Sequence, residues 1–534
     1  MSAHRVARIA VATAAGLALA DASVVVLALP PILIEFDASI EGVAAVIGAY
    51  TLALALTVPA AALWTRREGA AQASRVAMLA FAAASVLAGL APTMGVLIGM
   101  RALQGVAAAG VLVAAFELLA GDRRTAVWTR VGIFGAALGP ALGGVLTEFA
   151  DWRAIFLVQA PVLAIAALVS RNAAGDGLAR HDQAGRGDLS VRLLCYGLLS
   201  AALTGVLFLV VLLLVSVWAV SPLEAAAVVS ALPLGALLGT RAPGDVKARA
   251  VVGSVLVAVG VTSLAFLSTD AVVMTLAPQM LAGIGMGMAL PALAGGLIPE
   301  RSSAQVASLL AVRHFGVTLA LALVAPVAAA QFEHATDRVR ERGAALILDA
   351  RLPITAKLDL AGVATGDLEA VAPRDALRRS LERARRGAAD GDEYGRLVNR
   401  LDETLVTELN SAFAPAFVIC GALALLAAAG LLLSTRARLA RAALAACAVA
   451  GAVIPAQAAL AQTMRPAPVV IADPCEDRRQ PPLSGLDGIV QLAALQVLDE
   501  TACLTGSSRE HLLLELIDDA PSLDRLLERL RERG

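Results

Sequence analysis

Charge is scarce in this chain of 534 residues: Asp, Glu, Lys and Arg make up only 16%, against about 25% in soluble globular domains. Aromatic residues are scarcer still, at 4%. The shortage of charge excludes a water-soluble fold of this length. Lysine is almost missing. Lys247 and Lys357 stand alone among basic residues that are otherwise Arg, which reads as genomic base bias rather than chemistry. The net charge of −1 gives no reason to expect a nucleic-acid partner. Five cysteines occur without a CxxC pair or a His/Cys cluster, so no structural metal is expected. No nucleophile–base motif is visible either, and neither an enzyme nor a cofactor is expected.

What is present is apolar. Hydrophobic residues make up 58% and the mean hydropathy is +0.77. Much of that mass is Ala, Leu, Val and Gly, which lets helices approach closely in lipid. A membrane span needs roughly 20 apolar residues. Such runs lie near 8–33, 40–62, 75–93, 96–119, 128–149, 154–170, 192–218, 222–240, 250–268, 271–297, 305–330, 412–434 and 441–461. The seventh is long for one helix and short for two.

Loop charges give an orientation, because basic residues stay on the cytoplasmic side of short loops. With Arg5 and Arg8 inside, alternate loops carry Arg66 and Arg67, Arg123 and Arg124, Arg171 and Arg180, Arg241 and Lys247, then Arg301 and Arg436. The opposite loops carry Glu35, Asp37, Glu148, Asp151, Glu224 and Asp270, with Arg153 their one basic residue. The expected location is therefore a plasma (bacterial inner) membrane with a cytoplasmic N-terminus. A cleaved signal peptide ending near Ala18-Leu19-Ala20 is the alternative for the first run, which continues to Leu33, too far for a signal core.

The resulting organisation has an N-terminal six-helix half over 1–170, a cytoplasmic linker over 171–191, and a C-terminal half over 192–330 and 412–434. Residues 331–411 form a polar insertion placed outside, with helical spacing over 374–386 and 394–409. Residues 435–461 read as a thirteenth helix that exports the tail, 462–534; a signal-like sequence releasing that tail is the alternative. Cys475 and Cys503 then meet an oxidising compartment and form a possible disulfide, with two unpaired thiols as the other reading. Insertion and tail are candidate surfaces for an envelope partner.

Ionisable residues at bilayer depth cost about 2.5–3.5 kcal/mol each on insertion scales and mark function by default. Asp21 interrupts the first span and is a candidate proton carrier; the plainer reading is a carboxylate bonded to a neighbouring helix. Arg101 opens the fourth span as a permanent cation, with Gln104 and Gly105 one turn on. Glu117 lies near the end of the same span, where it can reach water. Arg313 and His314 fall in the eleventh; an interior His is more often packed than functional. The fifth span reads Gly135-x-x-x-Gly139-Pro140-x-x-Gly143-Gly144, a small-residue face interrupted by a helix-bending proline.

Together these segments resemble the major facilitator superfamily, specifically its proton-coupled drug-efflux antiporters. The stretch from Leu19 through Asp21 to Pro30 is similar to that group's first-helix motif. Arg101-Ala-Leu-Gln104-Gly105 resembles its fourth-helix motif, associated with proton transfer. Gly135 to Gly144 resembles its antiporter motif, and Asp151-Trp152-Arg153-Ala-Ile155-Phe156 the opening of its sixth helix. The resemblance implies an all-α, twelve-helix core of two six-helix halves, here with a probable thirteenth helix, rocking around a central cavity. Asp21 and Arg101 would line the N-terminal half of the pathway, and Gln104, Glu117 and His314 are further candidates for coupling. The loop after the second helix departs from the family: Arg66-Arg67-Glu68-Gly69 has Arg66 where an Asp is expected, so this gating loop lacks its usual acid. The two extra central helices of fourteen-span members are absent. The implied function is proton-coupled export of small amphipathic compounds, its partners being that substrate, protons and the lipid bilayer. A dedicated exporter of one metabolite or lipid precursor, or a transporter-like scaffold or sensor, are the competing readings.

Overall fold

The structure is a computed structural model describing residues 3–119, 139–170, 186–294, 296–297, 303–352, 357, 360, 373–384, 391–434, 440–476 and 485–518. Its regular elements are helical throughout: α1 (Ala3–Val26), α2 (Leu29–Glu35), α3 (Ile40–Glu68), α4 (Ala70–Gly89), α5 (Met94–Leu118), α6 (described over 139–149), α7 (Trp152–Val169), α8 (Arg186–Leu212), α9 (Pro222–Val229), α10 (Ala231–Gly239), α11 (Val246–Ser263) and α12 (Val273–Leu293). They continue as α13 (Ser303–Asp349), α14 (Pro373–Ala384), α15 (Gly391–Ser434), α16 (Ala440–Met464), α17 (Gly485–Thr505) and α18 (Arg509–Asp518). Among the described residues, eleven segments are long and apolar enough to cross a membrane. The other two expected spans correspond to α6 and to the 25-residue α16.

Prolines explain where the expected spans break. The first run divides at Leu27-Ala28 into α1 and α2, because Pro30 and Pro31 have no N–H for the carbonyls one turn back. The eighth divides at Ser230 into α9 and α10, where Pro233 withdraws the donor for Val229. The seventh is one helix: α8 runs on through a π-helical turn, Leu213–Val217.

The helices pack in two groups. In the N-terminal group α5 contacts α1, α3 and α4, and α7 closes against α1 and α4. In the C-terminal group α12 lies between α10 and α11, while α8, α13 and α15 pack mutually. Small residues permit the tightest crossings. A Cβ on Gly287 of α12 would lie 1.9 Å from the Ala236 carbonyl oxygen of α10, so these backbones touch. The groups meet along α3 and α13, where the Thr51 and Thr318 hydroxyls share a 2.8 Å hydrogen bond.

Much of the described part of 331–411 belongs to helices that begin or end in the apolar spans. The eleventh and twelfth membrane helices simply continue: α13 has 47 residues and α15 has 44, roughly 70 Å and 66 Å at 1.5 Å per residue. Leu377, Leu381, Tyr394, Leu397, Leu401 and Leu405 belong to the same hydrophobic core as the C-terminal group. Ion pairs bind these extensions together. Glu408 pairs with Arg338 at 2.8 Å and with Arg342. Arg374 of α14 meets Asp402 at 2.6 Å, Asp270 at 2.7 Å and the Trp218 carbonyl at 3.0 Å.

The tail folds onto this structure. Cys475 and Cys503 are disulfide-bonded across 28 residues. Arg509, at the start of α18, bonds Asp349 at the tip of α13 at 2.8 Å, and Ser508 bonds Glu341 at 2.8 Å. Gln491 of α17 donates to the Leu352 carbonyl at 3.2 Å. Insertion and tail thus make one cap on the C-terminal group.

Candidate functional site

Arg101 lies two turns into α5, whose first turn is capped by the Thr93 hydroxyl accepting from the Val96 N–H. Its guanidinium is wholly buried, as is the Asp21 carboxylate 2.5 Å away. Burying two charges is tolerable only when their hydrogen bonds are met, and here nearly all are. Arg101 Nη1 also donates to Gln104 Oε1 at 2.9 Å, and Nε donates to the Val46 carbonyl at 3.1 Å. The guanidinium carbon stands 4.5 Å from the Tyr50 ring centre and 5.6 Å from that of Phe156, close enough for cation–π attraction. Gln159 Nε2 donates to the other Asp21 oxygen at 2.8 Å. Gln104 Nε2 is held by the Ser85 hydroxyl at 2.8 Å. Arg101 Nη2 and Gln159 Oε1 alone in this cluster lack a partner among the described residues.

Five helices therefore converge on one ion pair: α1, α3, α4, α5 and α7. Close backbone approach makes this possible. A Cβ on Gly105 would lie 2.2 Å from the Tyr50 carbonyl oxygen, so glycine one turn after Arg101 lets α5 press against α3. Tyr50 in turn donates its hydroxyl to the Ala18 carbonyl at 2.7 Å, tying α3 to the turn of α1 before Asp21.

The glycines of α6 press against the helix that carries Asp21. A Cβ on Gly139 would meet the Ser23 Oγ at 2.0 Å, and one on Gly143 the Val24 carbonyl oxygen at 2.3 Å, both on α1. Gly144 faces the other group, 2.8 Å by the same measure from the Pro222 carbonyl of α9. The small-residue helix is thus wedged between Asp21's helix and the C-terminal group. Pro140 is buried on it; Gly135 lies outside the described residues.

A cavity of about 200 Å³ opens between the groups. Its wall takes Leu19, Ala22, Ser23 and Val26 from α1 and Thr51 from α3, with the rest from α8, α10, α12, α13 and the residues that end α10 and α12. Three ionisable side chains of the described residues line it, Tyr196, Arg313 and His314. His314 is buried, with Nδ1 2.8 Å from the Leu310 carbonyl. The sequence placed Asp21 and Arg101 on the pathway wall. Instead, both are sealed behind it, with Ala22 and Ser23 at the surface.

The remaining sequence candidates are dispersed. Glu117 is half-buried at the far end of α5, about 24 Å along the helix from Arg101 at 1.5 Å per residue, and takes no part in the Asp21 cluster. Arg66 and Arg67 are exposed in the last turn of α3. Gly69 is the single residue between α3 and α4, and its φ of +81° suits glycine. Sequence reasoning overlooked Gln159, Ser85 and Tyr50. It also noted Arg313 without assigning it a role.

The fold belongs to a known class. The family model for the Major Facilitator Superfamily matches residues 11–323, more than half the chain, and the chain belongs to that superfamily. Among its relatives, multidrug resistance protein Stp of Mycobacterium tuberculosis is 32% identical over 153 residues, covering 27% of this chain and 28% of Stp. Puromycin resistance protein pur8 of Streptomyces alboniger is 38% identical over 159 residues, covering 28% of this chain and 32% of pur8. Multidrug efflux pump LfrA of Mycolicibacterium smegmatis is 34% identical over 151 residues, covering 27% and 30%. Each match thus spans about three tenths of the relative's length. A crystal structure of a bacterial homologue of the human lysosomal transporter Spinster, inward-facing and unoccupied, shares the fold: TM-score 0.57 at 17% identity, covering 82% of this chain and 99% of that one.

Proposed function

We propose that this chain exports small amphipathic organic compounds across the plasma membrane in exchange for protons, by alternating access. The observation that carries the reading is the fully buried Asp21–Arg101 pair set one residue behind a cavity shared by both helical groups. The names of Stp, pur8 and LfrA point to drug efflux.

In this mechanism Asp21 takes up the proton. Protonation cancels the carboxylate charge and frees Arg101, which keeps its bonds to Gln104 and the Val46 carbonyl. A cluster joining five helices is thereby loosened without being dismantled. Asp21's own helix, α1, also receives the contacts of Gly139 and Gly143 from α6. A change at Asp21 is felt along that seam, and through Gly144 in the C-terminal group. Loss of the proton restores the pair and resets the seam. The N-terminus is cytoplasmic, and the cap stands outside the cell.

The test uses full-length protein in proteoliposomes with an imposed pH gradient and a panel of cationic, neutral and anionic fluorescent amphipaths. Wild type is expected to accumulate at least one dye against its gradient, with matching proton flux. Asp21→Asn keeps an acceptor for Arg101 but cannot cycle a proton, so gradient-driven accumulation falls to background while downhill exchange persists. Dye movement indifferent both to the pH gradient and to Asp21→Asn overturns proton coupling.

A further inference from the structure

We infer that the central cavity selects amphipaths bearing an anionic head group, such as a carboxylate or sulfonate, and that Arg313 is the residue that holds it. The inference rests on reading the cavity as the substrate site of the proposed exporter.

The argument is one of unmatched charge. Arg313 lines the cavity together with apolar side chains and a few hydroxyls. Among the described residues no Asp or Glu lines it, and none offers a carboxylate or carbonyl that accepts from Arg313. Asp21, on the adjoining helix, is already committed to Arg101 and Gln159 and has no exposed surface. The cavity therefore presents a permanent, unpaired cation. A guanidinium cannot shed its charge, and in a low-dielectric wall it favours an anion and repels a cation.

Several of the wall's hydroxyls are already engaged. The hydroxyls of Ser23, Ser200 and Thr240 donate to the carbonyls of Ala20, Tyr196 and Leu237 in their own helices. His314 Nδ1 can only be the donor to the Leu310 carbonyl, which leaves Nε2 as that ring's remaining acceptor. Arg313 is thus the strong donor in the wall, and its planar fork matches a carboxylate or sulfonate in two-pronged geometry. The apolar remainder, including Leu203, Leu207 and Met286, suits a greasy body. Electrical driving force agrees. An anion leaving a cell with a negative interior moves down the potential, at about 2.3 kcal/mol per 100 mV.

The experiment measures binding to the purified full chain by fluorescence titration. The probes are 11-(dansylamino)undecanoate and its analogue with a trimethylammonium group in place of the carboxylate. Wild type is expected to bind the anion about tenfold more tightly, the scale of one charge-assisted hydrogen bond. Arg313→Gln abolishes that preference by weakening the anion and relieving the repulsion of the cation, and Arg313→Lys restores part of it. Equal or tighter binding of the cation by wild type overturns the inference, whether or not the variants fold. So does a preference unchanged in Arg313→Gln. The two readings fail separately. Gradient-driven transport of cations with no anion preference sinks this inference alone. Anion-selective binding without proton-coupled flux sinks the coupling mechanism and leaves the selectivity standing.

Discussion

The two helical groups handle charge in opposite ways. The N-terminal group buries an ion pair completely and surrounds it with amides, a hydroxyl, a carbonyl and two rings. The C-terminal group leaves its cation, Arg313, unpaired at a cavity wall. It gathers its salt bridges in the cap, away from the apolar spans. On the proposed mechanism, the first arrangement responds to a change in its own charge and the second meets a charge that arrives from elsewhere.

The contrast is most severely tested by removing each arginine. Arg101→Leu strands the Asp21 carboxylate in the core and is expected to cost about 3–5 kcal/mol, seen as a large fall in thermal unfolding temperature in detergent. Arg313→Leu breaks no bond and should stay within about 1 kcal/mol of wild type. Equal losses would show that the cavity cation is structural after all. Glycine contacts give the next effect, and here the two groups should behave alike. Gly105→Ala drives a methyl group into the Tyr50 carbonyl, and Gly287→Ala into that of Ala236. Each is expected to destabilise by about 1–3 kcal/mol, as overpacking does. Gly48→Ala, with nothing within 4 Å, is the control and should fall within about 0.5 kcal/mol.

The smallest effect belongs to the cap. Burial pushes the Lys357 ammonium down to about 8, with Arg509 adding to the shift and Asp349 opposing it. Its Nζ donates to the Leu348 carbonyl at 2.6 Å. An unfolded lysine holds its proton to about pH 10.4, so between that value and pH 8 the unfolded chain binds the extra proton. Stability therefore rises with pH across that window and is flat below it for this group. Unfolding temperatures at pH 7.5, 8.5 and 9.5 should show a small upward slope that Lys357→Met removes.

The sequence exposed the charged residues of the site and one partner, Gln104, and hid the others. Asp21 and Arg101 stand out because a charge at bilayer depth is expensive. Gln159 and Ser85 are neutral, carry little such penalty and follow no spacing that marks them. The Val46 carbonyl has no side-chain signature at all. Apolar runs likewise gave the spans. The breaks at Ser230 and at Leu27-Ala28 followed from prolines that were visible but not used. Hydropathy ended α13 near residue 330, whereas the helix runs to Asp349. A polar extension looks like a loop to hydropathy, yet Leu377, Leu401 and Leu405 supply a core beyond the span. Cys475 and Cys503 were paired on compartment alone, and the fold joins them.

The continuity of α13 turns a cavity residue into the short arm of a lever. From Arg313 to Asp349 the rod is roughly 54 Å long at 1.5 Å per residue, so a tilt of about 10° sweeps its tip through roughly 9 Å. Asp349 is bonded to Arg509, which makes the tail a pointer for events some 50 Å away. On the proposed export mechanism, a reporter dye on the tail is expected to follow the cycle without touching the lipid-embedded machinery.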